Sequence, residues 1–406
     1  MLKIVNAIKY LLLTLTAVFL SVLLYSFYTV PDEIYTLQDE QSGVHDIYTL
    51  TYDTADGAGM RSFSAGSYKV KVSLFNMPIK DSILTVGERR YVAISGDIIG
   101  LRLFTEGVLI VDIDSVQSDE GSFCPGESAG LCRGDIIYSI DGEKTLSSQS
   151  VNNKIRYSGG RSLELEYVRN GNHYITYLTP VLSSYDNSYK GGLWIRDSAA
   201  GIGTVSFFDV KTGMFAALGH AVCDVDTGDI LPLLGGDAVS AKIIGCNKGV
   251  SGKAGELCGM FEKESVGVLL SNNATGVIGL FDEWDKNAEL YPVASPSEVH
   301  KGKAQIASTV DASGKKYYDI EIQKITVNAS DNKNMVIRVT DEALISKTGG
   351  IVQGLSGSPI IQDGKLVGVV THVLVNDPTR GYGIFIDNMM GSAEGLSLIE
   401  AESEAA

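Results

Sequence analysis

Positive charge is what this sequence has least of. Its 406 residues carry 33 Lys and Arg against 49 Asp and Glu, a formal net charge of −16. That balance excludes the basic surface on which non-specific nucleic-acid binding depends, and it opposes adhesion to anionic membrane surfaces. Proline is scarce, at 9 residues, so the chain is not a proline-rich low-complexity polymer. Cysteine is limited to Cys124, Cys132, Cys223, Cys246 and Cys258. No CxxC pair and no Cys/His zinc spacing occurs among them. The expectation is free, partly buried thiols, with Cys124–Cys132 and Cys246–Cys258 the pairs whose spacing permits a bridge in an exported chain. What is present is a 44% hydrophobic content and 45 glycines, the composition of a folded, turn-rich β protein long enough for two or three domains.

The one long apolar run is N-terminal. Lys3 and Lys9 precede a nearly uninterrupted stretch from Tyr10 to Val30, followed by Pro31, Asp32 and Glu33. About 21 residues of this kind cross a bilayer as a helix, and positive charge before the run with acid after it predicts the N-terminus inside and the remainder outside. Residues 1–30 are therefore expected to be a signal-anchor or transmembrane segment, retained or removed later by proteolysis, with everything beyond exported.

Residues 31–66 are polar and rich in Gly, Asp and Ser, as in "DTADGAGM", and read as a linker. Residues 67–95 alternate as short strands ("SYKVKVSLFNMPI", "SILTV", "RRYVAI"). Residues 96–182 contain strands, a turn at Glu106-Gly107, a short helix start, an Asp141-Gly142 turn, an amphipathic helix in "SQSVNNKIRYSG" and a closing hairpin about Asn170-Gly171. This order resembles a PDZ domain, most specifically in "AGLCRGDIIYSIDGE". The resemblance implies a groove that takes an extended peptide by β-augmentation. It implies a peptide-binding loop at Gly96, Asp97, Ile98, Ile99, Gly100 and Leu101, whose backbone N–H groups face a peptide terminus and in which Asp97 would repel a carboxylate.

Residues 183–406 hold the catalytic candidates. In "GIGTVSFFDVKTGMFAALGHAV" two strands flank a turn at 211–213, and the second delivers His220 after a glycine, where an imidazole reaches a cleft without a bulky neighbour. Of the five histidines, His45, His173 and His300 lie in linker, hairpin and polar-turn contexts, leaving His220 and His372. In "GLSGSPI", residues 354–360, Ser356 sits between glycines ahead of a β-hairpin about Asp363-Gly364. A serine hydroxyl needs a base to become a nucleophile. Backbone N–H groups of Gly354 and Ser356 can converge as an oxyanion hole. The turn and hairpin match those of chymotrypsin-like peptidases. In that frame His220 is the base, His372 and Thr371 line the substrate pocket, and the third member is open among Asp224, Asp226 and Asp341.

Taken together, "GGLWIRDSAAGIGTVSFFD", "ALGHAVCDVDTG", "KGVSGKAGELCG" and "TGGIVQGLSGSPIIQDGKLVGVVTHVLVNDPTRGYGIFIDNMM" resemble the SpoIVB peptidases of endospore-forming bacteria. The resemblance extends from the anchor through the PDZ-like module, an order opposite to that of HtrA-type peptidases. It implies a mainly β chain: an N-terminal transmembrane helix, a PDZ-like domain and a chymotrypsin-like double β-barrel peptidase domain. It implies a triad of His220, Asp341 and Ser356, with no metal or organic cofactor. It further implies export from the forespore into the space between the sporulation membranes, self-cleavage near the N-terminus, and cutting of a membrane-bound regulator of an intramembrane metalloprotease, which releases sigma-K activation. The competing expectation is a non-enzymatic PDZ signalling adaptor on a peptidase-like scaffold.

Overall fold

A computed structural model describes residues 2–30, 33–37, 48–51, 66–327, 329–393 and 395. The chain divides into two units, residues 1–90 and 91–406.

In the first unit, helix Leu2–Thr29 contains a 20-residue apolar stretch, Lys9–Tyr28, with a mean hydropathy of 2.0. Its Leu, Val, Phe and Tyr side chains are largely exposed, and it is the one helix among the described residues long and apolar enough to cross a membrane. A four-stranded sheet follows, in the order Glu33–Leu37, Met77–Gly87, Gly66–Leu74, Tyr48–Thr51. The expected linker over residues 31–66 is thereby corrected. Two of its segments are strands, one pairing parallel with residues 83–87 and the other antiparallel with residues 71–74. Apart from Gly66, which opens Gly66–Leu74, its remaining residues, His45 included, lie outside those described.

The second unit contains two six-stranded barrels. The first consists of Ile98–Ile113, Leu233–Asn247, Glu256–Asn273, Gly276–Phe281, Met214–Ala217 and Leu193–Phe208, and the pairing of the last with the first closes the ring. Its interior is filled by Leu101, Val205, Phe215, Ala238, Leu269 and Val277. The second barrel runs Gly302–Thr309, Lys315–Ile325, Met335–Val339, Arg380–Phe385, Lys365–Val373 and Pro359–Gln362, closed by Gln305 and Ile306 against Ile361 and Ile360. Ile306, Ile320, Ile337, Ile360 and Val370 fill it.

The PDZ-like module extends from the first barrel. Strand Ile98–Ile113 begins in the barrel and ends in the module, where residues 108 and 109 pair with residues 137 and 136 of strand Ile136–Ile140. Strand Leu193–Phe208 leaves the module and re-enters the barrel, pairing with the first strand over most of its length. Beyond Ile136–Ile140 lie Leu163–Arg169 and then Asn172–Leu178. Helix Ser148–Arg156 buries Val151 and Ile155 against this sheet, and the Ser147 hydroxyl caps it by accepting from Ser150 N. Asp135 from the "CRGD" turn is almost fully buried; it accepts from Cys132 N and pairs with the Arg169 guanidinium through both oxygens.

Two expectations are corrected here. The range 96–182 assigns to the module the whole of strand Ile98–Ile113, which begins in the barrel, and Tyr91–Ile94 pairs with residues 207 and 208 and with Leu290–Pro292 rather than with the strands before it. The Glu106-Gly107 turn is a kink instead: Gly107 adopts a φ of +84°, the Thr105 hydroxyl donates to its carbonyl, and the strand continues.

Candidate functional site

The site forms where the Ser356 turn docks on strand Leu193–Phe208. Thr204 makes both contacts. Its N–H donates to the Ser356 carbonyl at 3.1 Å, and its hydroxyl donates to the Gly354 carbonyl at 2.7 Å. With those carbonyls held against the strand, the N–H groups of Gly354 and Ser356 donate to no other described residue, while Gly357 N donates to Val370 O at 2.8 Å. Two free donors beside a partly exposed serine are the elements of an oxyanion hole. Gly357 is fixed by the close approach of the two backbones. It has a φ of +100°, and a Cβ there would lie 1.9 Å from the Thr204 carbonyl oxygen, so glycine is needed for the turn to reach the strand at all. Ser358 is buried, donating to Leu355 O and bonded to Ser308 Oγ.

The segment that carries His220 meets Thr204 from the other side. Leu218 N donates to the Thr204 carbonyl, and Leu218 and Gly219 both have a φ of +71°. That is a costly conformation for leucine, held here by the packed surroundings. Gly219 fits closely: a Cβ on it would contact Thr371, Ile384 and Val369. The His220 Nδ1 lies 2.7 Å from the Ala221 carbonyl oxygen. A carbonyl only accepts, so Nδ1 carries the proton and Nε2 is left as the basic nitrogen. Burial pushes the His220 pKa below its ordinary value, with the Ala221 carbonyl acting in the opposite direction.

The His372 ring lies against that of His220, with centroids 4.7 Å apart at 37°. Its pKa is pushed down to about 4, first by desolvation and then by the neighbouring His220 and Lys333, against a weaker opposing effect of Asp331. Thr371 is buried on the same strand, and its hydroxyl has no hydrogen-bond partner among the described residues. Two imidazoles in contact and an unpartnered buried hydroxyl thus lie on segments whose neighbours, Leu218 and Val370, adjoin Gly357 of the serine turn.

Asp341 is not brought to His220. It is the N-cap of helix Glu342–Thr348: its Oδ1 accepts from Leu344 N at 2.9 Å, and its own N–H donates to Asp319 O. The other two acids also have partners. Asp224 is buried, accepts from Asp226 N and Thr227 N in an Asx turn, and pairs with Arg196, which also holds Asp226 at 2.8 Å. His173 pairs with Glu166 and His300 with Asp363. All five cysteines are free.

The loop expected at Gly96, Asp97, Ile98, Ile99, Gly100 and Leu101 is not a peptide-binding loop. Residues 98–101 lie inside the barrel strand, with residues 201–204 on one edge and, from Ile99 on, residues 238–240 on the other. Gly96 N and the Asp97 carbonyl bond to Val205, and the Asp97 carboxylate accepts from the Ser95 hydroxyl. Their hydrogen-bonding groups are therefore committed. A cavity of about 410 Å³ lies elsewhere in the module, at the C-terminal end of helix Ser148–Arg156, lined by Ile155, Arg156, Lys190, Gly191, Gly192 and Leu193 among others. Sequence reasoning missed it, although "KGGLW" carries the signal: paired glycines beside a cation and ahead of a strand.

The acid limb of any His220-dependent reaction follows from its environment. The base must be neutral, and its lowered pKa keeps it neutral to lower pH. A profile of kcat/KM against pH should therefore fall on acidification with a midpoint below about 6.5, the ordinary histidine value. A midpoint at or above that value contradicts the buried arrangement.

A PDZ domain profile matches residues 118–169. The PDZ domain of an SdrC-like protein from Listeria monocytogenes is similar at 23% identity, covering 22% of this chain and 87% of that one, with a TM-score of 0.18. A Bartonella henselae protein named "Putative zinc metalloprotease" is 25% identical over 167 residues, 40% of this chain; the match spans 41% of that relative's length. A profile of SpoIVB peptidase S55 matches residues 187–390, half of the chain and the whole of the segment that carries Thr204, His220 and Ser356. The chain belongs to the SpoIVB peptidase S55 family, a family of serine peptidases.

Proposed function

We propose that this protein is an exported serine endopeptidase in which Ser356 is the nucleophile and His220 its base. The observation that carries the reading is the meeting at Thr204 of a serine turn with two free N–H groups and the Leu218–His220 segment, whose imidazole leaves Nε2 free to accept a proton. Ser356 Oγ bonds to the substrate carbonyl carbon as its proton passes to His220 Nε2. Gly354 N and Ser356 N stabilise the resulting oxyanion. The C–N bond then breaks with that proton moving to the leaving amine, and water, deprotonated by the same nitrogen, hydrolyses the acyl-enzyme. His372 and Thr371 border the bound chain.

Asp341 is the third member of the proposed triad, carried over from the family. To serve the imidazole it exchanges its helix-cap bond for His220 and displaces the Ala221 carbonyl. The family supports a place in sporulation signalling: self-cleavage near the N-terminus in the intermembrane space, anchorage through the apolar helix, then cutting of a membrane-bound regulator to trigger intramembrane proteolysis and sigma-K activation. The PDZ-like groove engages the protein substrate. One observation favours a second reading, a non-enzymatic adaptor on a peptidase-like scaffold: the engagement of Asp341 in the cap.

Incubating purified wild type and Ser356→Ala and sequencing new N-termini separates the two. Cleavage should fall at least about a thousandfold in the variant with melting unchanged; cleavage at the wild-type rate contradicts the peptidase reading. Asp341→Asn tests the third member. An amide oxygen caps a helix about as well as a carboxylate, so stability should be preserved while turnover falls about 10²- to 10⁴-fold. Turnover within about tenfold of wild type leaves the Ala221 carbonyl as the group that orients His220.

A further inference from the structure

The unit of residues 1–90 carries an apolar feature that its own packing does not use. Strands Gly66–Leu74 and Met77–Gly87 form a hairpin whose last pair is Leu74 with Met77, so Phe75 and Asn76 alone make the turn. Both have positive φ, +50° and +62°. Two such residues in succession suit the twist of a hairpin, and the usual occupants are Asn, Asp and Gly. Asn76 conforms. Phe75 does not, because the left-handed region is unfavourable for a bulky side chain. Burial does not offset that cost. Phe75 is 69% exposed, Met77 beside it is 38% exposed, and Pro78 is exposed as well. The apolar interior of this unit lies elsewhere, in Val70, Val72, Leu74 and Leu84. An aromatic held in a strained turn without burial points to a contact outside the protein.

The tip lies beside the apolar helix. Strand Met77–Gly87 packs against helix Leu2–Thr29. Lys80 Nζ donates to the Val30 carbonyl at 2.9 Å, and the same ammonium lies 5.7 Å from the centre of the Phe27 ring. A cation on the last carbonyls of a helix complements its dipole. The direction of the hairpin follows from the strand on its other side. Glu33–Leu37 leaves the helix and pairs parallel with residues 83–87, Glu33 opposite Ile83. Strand Met77–Gly87 therefore runs away from the helix end as it passes forward through Ile83. Traced backward it meets Val30 at Lys80 and reaches Met77 about 10 Å further on, alongside the helix. The helix is covered to match. Leu23, Ser26 and Val30, spaced three and four apart on one face, are less exposed than the residues beside them. Ser26 and Val30 are 3% and 5% exposed, whereas Tyr25 and Phe27 are 70% and 48%. From Val30 back to Leu23 is about two turns, or about 10 Å, into the apolar stretch.

We propose that the Leu74–Pro78 tip is inserted in the bilayer that the helix crosses, with Phe75 and Met77 at the boundary of headgroups and acyl chains on the exported side and Lys80 among the headgroups. This rests on the reading of the helix as a membrane anchor. The chemistry recognised is that of a lipid monolayer's apolar boundary, which receives an aromatic ring and a thioether. Charge does not oppose it locally. From Gly66 to Gly87 there are three lysines, Lys69, Lys71 and Lys80, and Asp81 is the one acid, although the whole chain is strongly acidic. The Lys80 ammonium stays at the polar level while its stem lies along apolar surface. Insertion fixes the height of the sheet on the membrane. It also supplies an attachment separate from the helix in sequence. The tip follows residues 38–65, so a cut there severs the helix and leaves the tip on the same chain as Ser356. Two apolar side chains bind a membrane weakly and reversibly, which keeps a released peptidase close to membrane-bound substrates without immobilising it.

The test uses the full chain with Ser356→Ala, to prevent self-cleavage, reconstituted in phosphatidylcholine vesicles whose lipids carry bromine near the top of the acyl chains. Bromine quenches tryptophan on contact. Phe75→Trp and Met77→Trp each read the tip, and Ile83→Trp reads a position beyond the helix end. Each is compared with the parent chain, whose Trp194 and Trp284 give the background. The added emission should fall by about half or more for Phe75→Trp and Met77→Trp, and by no more than about a tenth for Ile83→Trp. Phe19→Trp, inside the apolar stretch, should be quenched by lipids brominated near the chain ends. Equal quenching at positions 75, 77 and 83, whether absent or present, overturns tip insertion, and a quenched Phe19→Trp then leaves the anchor reading standing. An unquenched Phe19→Trp overturns the anchor reading, and the tip with it. Quenching at 75 and 77 that appears only after phosphatidylglycerol is added makes the contact electrostatic and overturns the proposal as stated.

Discussion

The whole site depends on the docking of the Gly354–Gly357 turn against the backbone of Thr204. Three bonds and one close approach define it: Thr204 N to Ser356 O, the Thr204 hydroxyl to Gly354 O, Gly357 N to Val370 O, and the contact of the Gly357 Cα with the Thr204 carbonyl that no side chain would permit. The serine turn opens the hairpin of the second barrel, and Thr204 belongs to the first. The catalytic geometry is therefore a property of the junction between barrels. Because Thr204 is fully buried, its two bonds form away from competing water, where leaving either carbonyl unpaired costs on the order of 1–3 kcal/mol.

His220 illustrates how such a junction tunes chemistry without a charged partner. Its ring is oriented by a neighbouring backbone carbonyl, which fixes the tautomer, and it is surrounded closely enough that the neutral form is favoured. His372 beside it is pushed further in the same direction. Two neutral imidazoles in contact avoid mutual repulsion, and either becomes costly to protonate while the other is charged.

Much of this was legible in the sequence, and the failures have physical causes. "GLSGSPI" announces a tight turn before a hairpin because glycines on both sides of a serine serve no purpose in a regular strand. The apolar N-terminal run, the Asp141-Gly142 turn, the hairpin about Asn170-Gly171 and the His220 hairpin are local patterns, and local patterns survive into the fold. The extent of strand Ile98–Ile113 was not legible. Alternation around Glu106-Gly107 is the same for a hairpin and for a kinked continuous strand, and only the partners on either edge decide. Residues 193–203, with Ala199, Ala200, Gly201 and Gly203, have weak strand propensity, and their pairing with distant residues overrides it. The resemblance implies Asp341 as a triad member, and "TDEALISKTGG" is at the same time a helix signature, with an acidic N-cap and Gly349 ending the helix at a φ of +80°. The expected peptide-binding loop, Gly96 to Leu101, precedes and opens strand Ile98–Ile113. In the fold the cavity is bordered by the segment that follows the module's last hairpin, Lys190 to Trp194.

The central claim is that Thr204 aims the serine turn. It is tested most directly by the rate at which a fluorophosphonate labels Ser356 in Thr204→Ser and Thr204→Val. The reagent needs both an activated serine and donors for the phosphoryl oxygen. Serine keeps the hydroxyl and should label at close to the wild-type rate, whereas valine keeps the shape and loses the bond to Gly354 O and should label at least about tenfold more slowly. Labelling of the valine variant at the wild-type rate would contradict the account.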